Sequence, residues 1–318
     1  LLDLSISAIH GLAIHEPCQS RPHSINEARG YLGLMEGYEL RPVVADEEEL
    51  PLMAALLQTT FPSSDHFTVD VLRWQYKGNP EGAAVGFNAW SGTELAGHYV
   101  TLPMTAQVNG IMEKGLLSLN TATHPAHQGK GLFTKLAKAT YEAAAREGYG
   151  FVVGVANANS THGFTKKLGF ELVSPLRAMI GMGDLPVQNS AVHVQFAHEW
   201  NAERLAWRLS HPAFTYSVQK VRGAMLVLSQ RKQFGARYVL GVRDQLPEGP
   251  WMHRSGMALR KVWIGLDPAM DWRVKAYLNI PMRFRPSPLN LIFKDLTGQG
   301  RKLDAARVRF DALDFDVL

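Results

Sequence analysis

THPAHQGKGLFTKLAKATYEAAAREG, residues Thr123–Gly148, is the stretch around which the rest of the chain is arranged. Just upstream, Leu116, Leu117 and Leu119 read as an extended apolar segment. Gln128-Gly129-Lys130-Gly131 then reads as a tight turn, and the residues after it as an amphipathic helix. Leu132, Phe133, Leu136, Ala137, Thr140, Tyr141 and Ala144 recur at intervals of three and four, which places them on one helix face, and Gly148 closes the helix. Glycines one residue apart let the main chain bend so that successive N–H groups converge on one concavity, and the helix starting there adds the positive end of its dipole. A nest of this kind binds a diphosphate. A triphosphate-hydrolysing loop would need Ser or Thr after its lysine, whereas Lys130 is followed by Gly131 and Leu132. A dinucleotide fingerprint would need a third glycine opening the helix and an acidic residue about 20 positions on, and that pattern is not met.

With its neighbours the stretch resembles the GCN5-related N-acetyltransferase superfamily. The signature there is Gln or Arg, two residues, Gly, any residue, then Gly or Ala, with a Pro shortly before. Pro125, Gln128, Gly129, Lys130 and Gly131 meet it in a compact form. After the helix comes FVVGVANANSTHGFTKKLGF: an apolar strand Phe151–Ala156, then Asn157 and Asn159, a short helix, and Leu168-Gly169-Phe170. In the superfamily such a strand, an Asn near its end and a closing Leu-Gly-Phe line the arm of coenzyme A. The resemblance runs from Glu39 to Ile180. It implies an α/β (α+β) fold with a mixed central sheet and an acyl-coenzyme A dependent N-acyltransferase, in the simplest case an N-acetyltransferase. Acetyl-coenzyme A would be the co-substrate and a small-molecule amine the acceptor, with amino sugars as one candidate. A non-catalytic coenzyme A binding or sensing protein and a transferase of a longer acyl group are the alternatives.

The resemblance also assigns roles. Main-chain N–H groups of Gln128, Gly129, Lys130, Gly131, Leu132 and Phe133 are expected to hold the diphosphate. The strands ending near Thr123 and Ala156 are expected to splay and admit the arm, which Asn159 would hydrogen-bond. An N–H at Ala122 would polarise the thioester carbonyl. Many members carry a Glu on the central strand where this chain has Ser118 and Asn120, and a Tyr where it has Phe164 and Thr165. The proton of the attacking amine is therefore left to water relayed through Asn120 or Ser118, to Asp65, His66 or His98, or to the substrate itself.

Around this stretch, Tyr38–Val44 reads as a strand. Asp46 caps a helix striped with Leu50, Met53, Ala54 and Leu57, and a second helix covers Val69–Tyr76. Ala83–Trp90 and Leu95–Leu102 form a hairpin ended by Pro103, and Glu113–Thr123 is the central strand. Trp74…Pro80 and Trp207…Pro212 each follow a helix and precede a hairpin, which predicts a second copy of the fold. The second half shows no comparable turn; GPWMHRSGMALRKVWIGLD stands in its place. The predicted organisation is a weakly ordered arm over residues 1–37, a catalytic domain over 38–183 and a degenerate domain of the same type over 184–318. The last two segments, rich in Phe and Arg, read as strands finishing an antiparallel edge.

A chain of 318 residues has room for two domains. A formal charge of +4 and a pI near 9.1 suit a polyanionic ligand. No basic cluster interleaves with aromatics, so nucleic acid is not expected, and no apolar run approaches membrane-spanning length. The opening residues lack the basic start of a signal peptide. Cys18 is the single cysteine, which excludes an intramolecular disulfide and a multi-cysteine metal site. A cytoplasmic protein without metal is therefore expected, with a homodimer admissible.

Overall fold

The computed structural model describes residues 34–35, 37–62, 64, 66–188, 192–221, 224–230, 235–243, 258–274 and 276–315. In the first half, β1 (Leu34–Met35) and β2 (Tyr38–Pro42) precede α1 (Glu49–Thr60) and α2 (Val69–Gly78). A meander of β3 (Val85–Ser91), β4 (Glu94–Val108) and β5 (Ile111–Thr123) leads to α3 (Leu132–Arg146) and β6 (Phe151–Ala156). Then come α4 (Ala158–His162), β7 (Glu171–Pro175) and β8 (Arg177–Met182). The second half begins with β9 (Phe196–His198), α5 (Ala202–Leu209), β10 (Ser217–Val221) and β11 (Ala224–Leu228). It continues through β12 (Ala236–Arg243), β13 (Arg260–Leu266), β14 (Tyr277–Asn279), β15 (Asn290–Asp295) and β16 (Val308–Asp311). Most of the arm expected at residues 1–37 lies outside the described residues, as do residues 249–257 of the run GPWMHRSGMALRKVWIGLD. Among the described residues no helix is long and apolar enough to cross a membrane.

Local chemistry accounts for the element ends. Asp46 Oδ1 accepts the Glu48 and Glu49 N–H groups at 3.0 and 2.8 Å and so starts α1, whose Leu50, Met53, Ala54, Leu56 and Leu57 are buried. Thr68 does the same for α2 through Val71 N–H. Pro103 does not end its strand: β4 runs on to Val108. The ladder with β3 stops at Val85↔Thr101, and the Pro103 carbonyl accepts from Asn79 Nδ2 at 2.9 Å on that same side. The imide nitrogen therefore faces a side where no strand needs a donor.

Pairing is antiparallel through β2, β3, β4 and β5, and parallel between β5 and β6. The terminal segment β15 does not finish an edge. It lies inside the sheet, antiparallel to both β6 and β7. Conversely β8, which precedes residue 184, pairs with β13 and β14 of the second half. The line drawn at 183/184 thus divides the chain but not the sheet. Each half lends the other a strand, which covers edges that would otherwise be left open. The short strands β9 and β16 join β4 to β13, so that the described residues form one 16-stranded mixed sheet.

Two apolar layers clothe the first half. Leu132, Leu136, Ala137, Tyr141 and Ala144 of α3 pack with Leu116, Val152 and Ile292 on one face. Leu50, Met53 and Leu57 of α1 pack with Leu117, Leu119 and Phe293 on the other.

Charge is buried where the halves meet. His198 lies between Glu81 (Nε2···Oε2 3.2 Å) and Asp314 (Nδ1···Oδ1 3.3 Å), and Arg204 completes the Glu81 pair at 3.2 Å. Burial by itself would lower the His198 pKa, but the flanking carboxylates outweigh it and the net direction is upward from 6.5. A raised folded-state pKa adds stability that is complete below 6.5 and is lost as pH climbs through the folded value. The thermal midpoint of the protein is therefore expected to fall as pH rises above 6.5, and His198→Gln to flatten that slope. Scanning calorimetry over that rise checks this; a slope unchanged in the variant would refute it.

Candidate active site

The turn before α3 is built from the sequence outward. His124 Nδ1 accepts the Ala126 N–H at 3.3 Å, and Pro125–His127 form one 3-10 turn. Gly129 and Gly131 then take φ of +76° and +75°, a left-handed conformation that costs a side-chain-bearing residue but not glycine. Nothing lies within 4 Å of a Cβ built on either, so they are required for backbone bend rather than for crowding. The main-chain N–H groups of Gly129, Lys130, Gly131, Leu132 and Phe133 donate to no main-chain acceptor among the described residues. The first such bond comes at Lys135 N–H to Gly131 O, 3.3 Å. Lys130 holds its ammonium 5.5 Å from the Tyr38 ring centroid, and Tyr38 in turn bonds His127 Nδ1 at 2.7 Å.

Beside the turn the sheet opens. β5 and β6 pair from Gly115↔Phe151 only as far as Ser118↔Gly154, although β5 continues to Thr123 and β6 to Ala156. A bulge drives them apart: Tyr99 pairs with Thr121 and Val100 with Leu119, leaving Asn120 extra in β5 at φ +27°. A cleft of about 690 Å³ occupies the gap. Thr121, Thr123, Gln128 and Phe133 line one lip and Asn157, Asn159, Ser160 and Phe164 the other, while Phe61 and Pro62 approach from the end of α1. The second lip is held rigid by a capping box, in which Asn157 Oδ1 accepts the Asn159 and Ser160 N–H groups and Ser160 Oγ accepts the Asn157 N–H.

A family model described as "Acetyltransferase (GNAT) domain" matches residues 41–173, which span the turn, the bulge and both lips. These residues are a GNAT domain. No curated protein matches the chain by sequence. Solved structures share its fold. A protein of Enterococcus faecalis V583 described as a probable N-acyltransferase aligns over 81% of this chain and 73% of its own, at 9% identity and TM-score 0.58. A GCN5-related N-acetyltransferase of Anabaena variabilis aligns over the same shares at 11% identity and TM-score 0.52. Eis1 of Mycobacterium abscessus does so at 10% and 0.53. Residues 41–173 thus match the GNAT domain model, and the fold shared with these solved structures reaches well past residue 173.

Within the GNAT domain, His98 is sealed in the sheet rather than facing the cleft. Asn88 gives its Nδ2–H to Glu49, so Asn88 Oδ1 accepts from His98 Nδ1–H at 2.7 Å, and His98 Nε2 accepts from the Tyr76 hydroxyl at 2.7 Å. Burial pushes the ring down to about 3. A neutral imidazole with both nitrogens engaged is packing, not a base. Asp65 lies outside the described residues. Asn120 is fully buried, and neither its Nδ2 nor its Oδ1 has a partner among the described residues, an unusual state for a buried amide. Ser118 Oγ is bonded to Tyr99, and Thr165 Oγ1 donates to the Thr161 carbonyl at 2.8 Å, so both hydroxyls are engaged within the fold.

The Ala122 amide is turned the other way from the expectation. His124 N–H donates to Ala96 O at 2.9 Å, on the β4 side. Strand alternation puts the Ala122 N–H on that side too, opposite His98, and turns the N–H groups of Thr121 and Thr123 toward the gap. Thr121, Ser160 and Phe61 were not singled out from sequence; the period of two along β5 was the available signal for Thr121. Phe133 occupies the position where a full-length signature carries Gly or Ala, and its ring meets Phe164 edge-on at 5.2 Å. Among the described residues, the ligand atoms of Glu94, His124 and His127 lie within 4.8 Å of one another, the spacing of a cation site, beside the turn.

Proposed function

We propose that this protein is an acyl-coenzyme A dependent N-acyltransferase, in the simplest case an N-acetyltransferase. It would move the acyl group to the amine of a small molecule by direct attack on the thioester. The observation that carries this reading is the unpaired stretch of β5 and β6 opening beside a turn whose amides have no main-chain partner. The residues present fit coenzyme A. Open space over Gly129 and Gly131 lets a diphosphate approach the N–H groups of Gly129–Phe133 at the positive end of α3. The gap between the lips takes the pantetheine arm, with Asn159 on one side. When bound, acyl-coenzyme A supplies the activated acyl group.

The chain's own contribution is positional and electrostatic. The Thr121 and Thr123 N–H groups face the gap and are placed to hold the thioester oxygen as charge builds on it. As the N–C bond forms and the C–S bond breaks, the amine gives up a proton and the thiolate takes one up. His162 is the imidazole in the cleft wall, one helical turn before Thr165, and we assign it the proton. Asn120, with its buried amide unsatisfied, is placed to order a water beside the bulge. An amino sugar is one acceptor of the required size and chemistry.

Calorimetric titration with acetyl-coenzyme A tests donor binding, and release of free thiol with a panel of small amines tests transfer. His162→Ala is expected to lower kcat about 100-fold while leaving donor affinity unchanged. An undiminished kcat would remove His162 from the mechanism. Donor binding without thiol release for any amine would favour a coenzyme A sensor instead.

A further inference from the structure

The second half of the chain repeats the slot that the proposed function assigns to the cofactor. Strands β10, β11 and β12 form a meander, as β3, β4 and β5 do, and β13 runs parallel to β12 as β6 runs parallel to β5. Pairing is lost at the same place. Val227 pairs with Gly241 and Leu228 with Val239, which leaves Leu240 as the extra residue where the first half has Asn120. Beyond Val239↔Trp263 the strands β12 and β13 no longer pair, although both continue. The exchanged strands obey the same symmetry, since β15 lies between β6 and β7 while β8 lies between β13 and β14. The two helices before the meanders meet in a reciprocal contact. The Trp74 indole N–H donates to the Trp207 carbonyl and the Trp207 indole N–H to the Trp74 carbonyl, each at 3.1 Å, with the rings stacked 4.7 Å apart.

The second slot differs in two respects. Residues 244–259, which connect β12 to β13, are fewer than residues 124–150 of the first crossover and contain no glycines one residue apart. The gap itself is filled. Asp311 and Phe310 pair antiparallel with Gly265 and Leu266 on the β13 lip, and Leu313 N–H donates to Leu240 O at 2.8 Å on the β12 lip. One segment, strand β16 running into a turn closed by Asp314 N–H to Asp311 O at 2.9 Å, therefore touches both lips. Its approach is close: a Cβ on Gly265 would fall 2.5 Å from the Phe310 carbonyl oxygen, and one on Gly241 3.2 Å from Leu313 Cβ. Side chains clasp it. Arg243 pairs with Asp311 at 2.9 and 3.3 Å, Arg208 Nε–H donates to the Leu313 carbonyl at 3.1 Å, and Trp200 Nε1–H donates to Asp314 at 2.8 Å.

We infer that the second half is a GNAT-like lobe whose splayed slot accepts the chain's own segment Val308–Phe315, a short strand ending in a turn, in the place where the first lobe takes a cofactor arm. It rests on the function proposed for the first slot. The consequence is one coenzyme A per chain, with the second lobe acting as scaffold rather than as a second catalytic unit. The strand adds to the β13 lip by β-augmentation, the turn after it reaches the β12 lip, and the covalent tether holds both in place.

Hydrogen exchange on the full chain tests the occupancy directly. The Leu313 amide is expected to exchange at least about 100-fold more slowly than an unstructured amide. Gly265→Val and the milder Asp311→Asn should release it while amides in the β4–β5 ladder stay protected, the control for folding. Titration with coenzyme A should give one site per chain, and none in Gly131→Val. Unprotected Leu313 in the wild type, or a second coenzyme A site, above all one surviving in Gly131→Val, would overturn the inference. Absence of any coenzyme A binding with Leu313 still protected would instead refute the function proposed for the first slot and leave the self-filled slot standing.

Discussion

Gly131→Val is expected to raise the dissociation constant for coenzyme A at least about 100-fold, a loss near 2.7 kcal/mol, while the protein stays folded. The reasoning is torsional rather than steric. Open space surrounds a Cβ at residue 131, so a side chain collides with nothing there. A β-branched residue nevertheless resists φ of +75°, at a cost of roughly 1–2 kcal/mol, and the turn escapes by rotating into a right-handed or extended conformation. That rotation swings the Lys130, Gly131 and Leu132 amides off their common focus, and the diphosphate loses its donors. Gly131→Asn should retain much more affinity, because Asn visits the left-handed region readily. The graded series Gly, Asn, Val measured by calorimetry is the test. Equal affinities across it would mean that the nest does not bind the donor.

Arg243→Met is expected to destabilise the protein by about 3–5 kcal/mol at neutral pH. Arg243 compensates Asp311 at 2.9 Å and reaches Asp314 at 3.9 Å, and both carboxylates are almost fully buried. Burial and the neighbouring Asp314 charge already push Asp311 upward in spite of Arg243, whereas His198 and Arg243 hold Asp314 below its ordinary value against its burial. Removing the guanidinium leaves Asp311 as an unpaired buried charge. Its folded-state pKa then rises further, so the carboxyl keeps its proton in the fold and stability is lost as pH rises through that value. The penalty should accordingly shrink as pH is lowered toward the carboxylate range, and Arg243→Met with Asp311→Asn should recover much of it. Chemical denaturation at two pH values measures both effects. A penalty below about 1 kcal/mol at neutral pH would show that the clasp contributes little.

The parts of the molecule legible in the chain were those set by local chemistry. The glycine pair, the apolar stripe of α3 and the run Phe151–Ala156 each depend on residues a few positions apart, and the structure places all three where turn geometry and periodicity predict. His98 misled because a lone imidazole on a strand reads the same whether it faces a cleft or a sheet interior. Only the arrival of Tyr76 and Asn88 from other elements decides which. Pro103 misled because a proline stops a strand only if a neighbour needs its missing N–H, and whether a neighbour exists is a long-range fact.

By itself the sequence determined the glycine turn, the helix it opens and the order of strands around it, since these follow from φ preferences and from periods of two and 3.6 residues. Tertiary structure alone decided that β8 and β15 change places between the halves and that Asn120 stands extra in its ladder. It likewise decided that Thr123 rather than Ala122 presents its amide to the gap, and that residues 308–315 lie in the second slot. Each of these is a matter of register between segments distant in the chain, where a shift of one residue reverses which side every group faces.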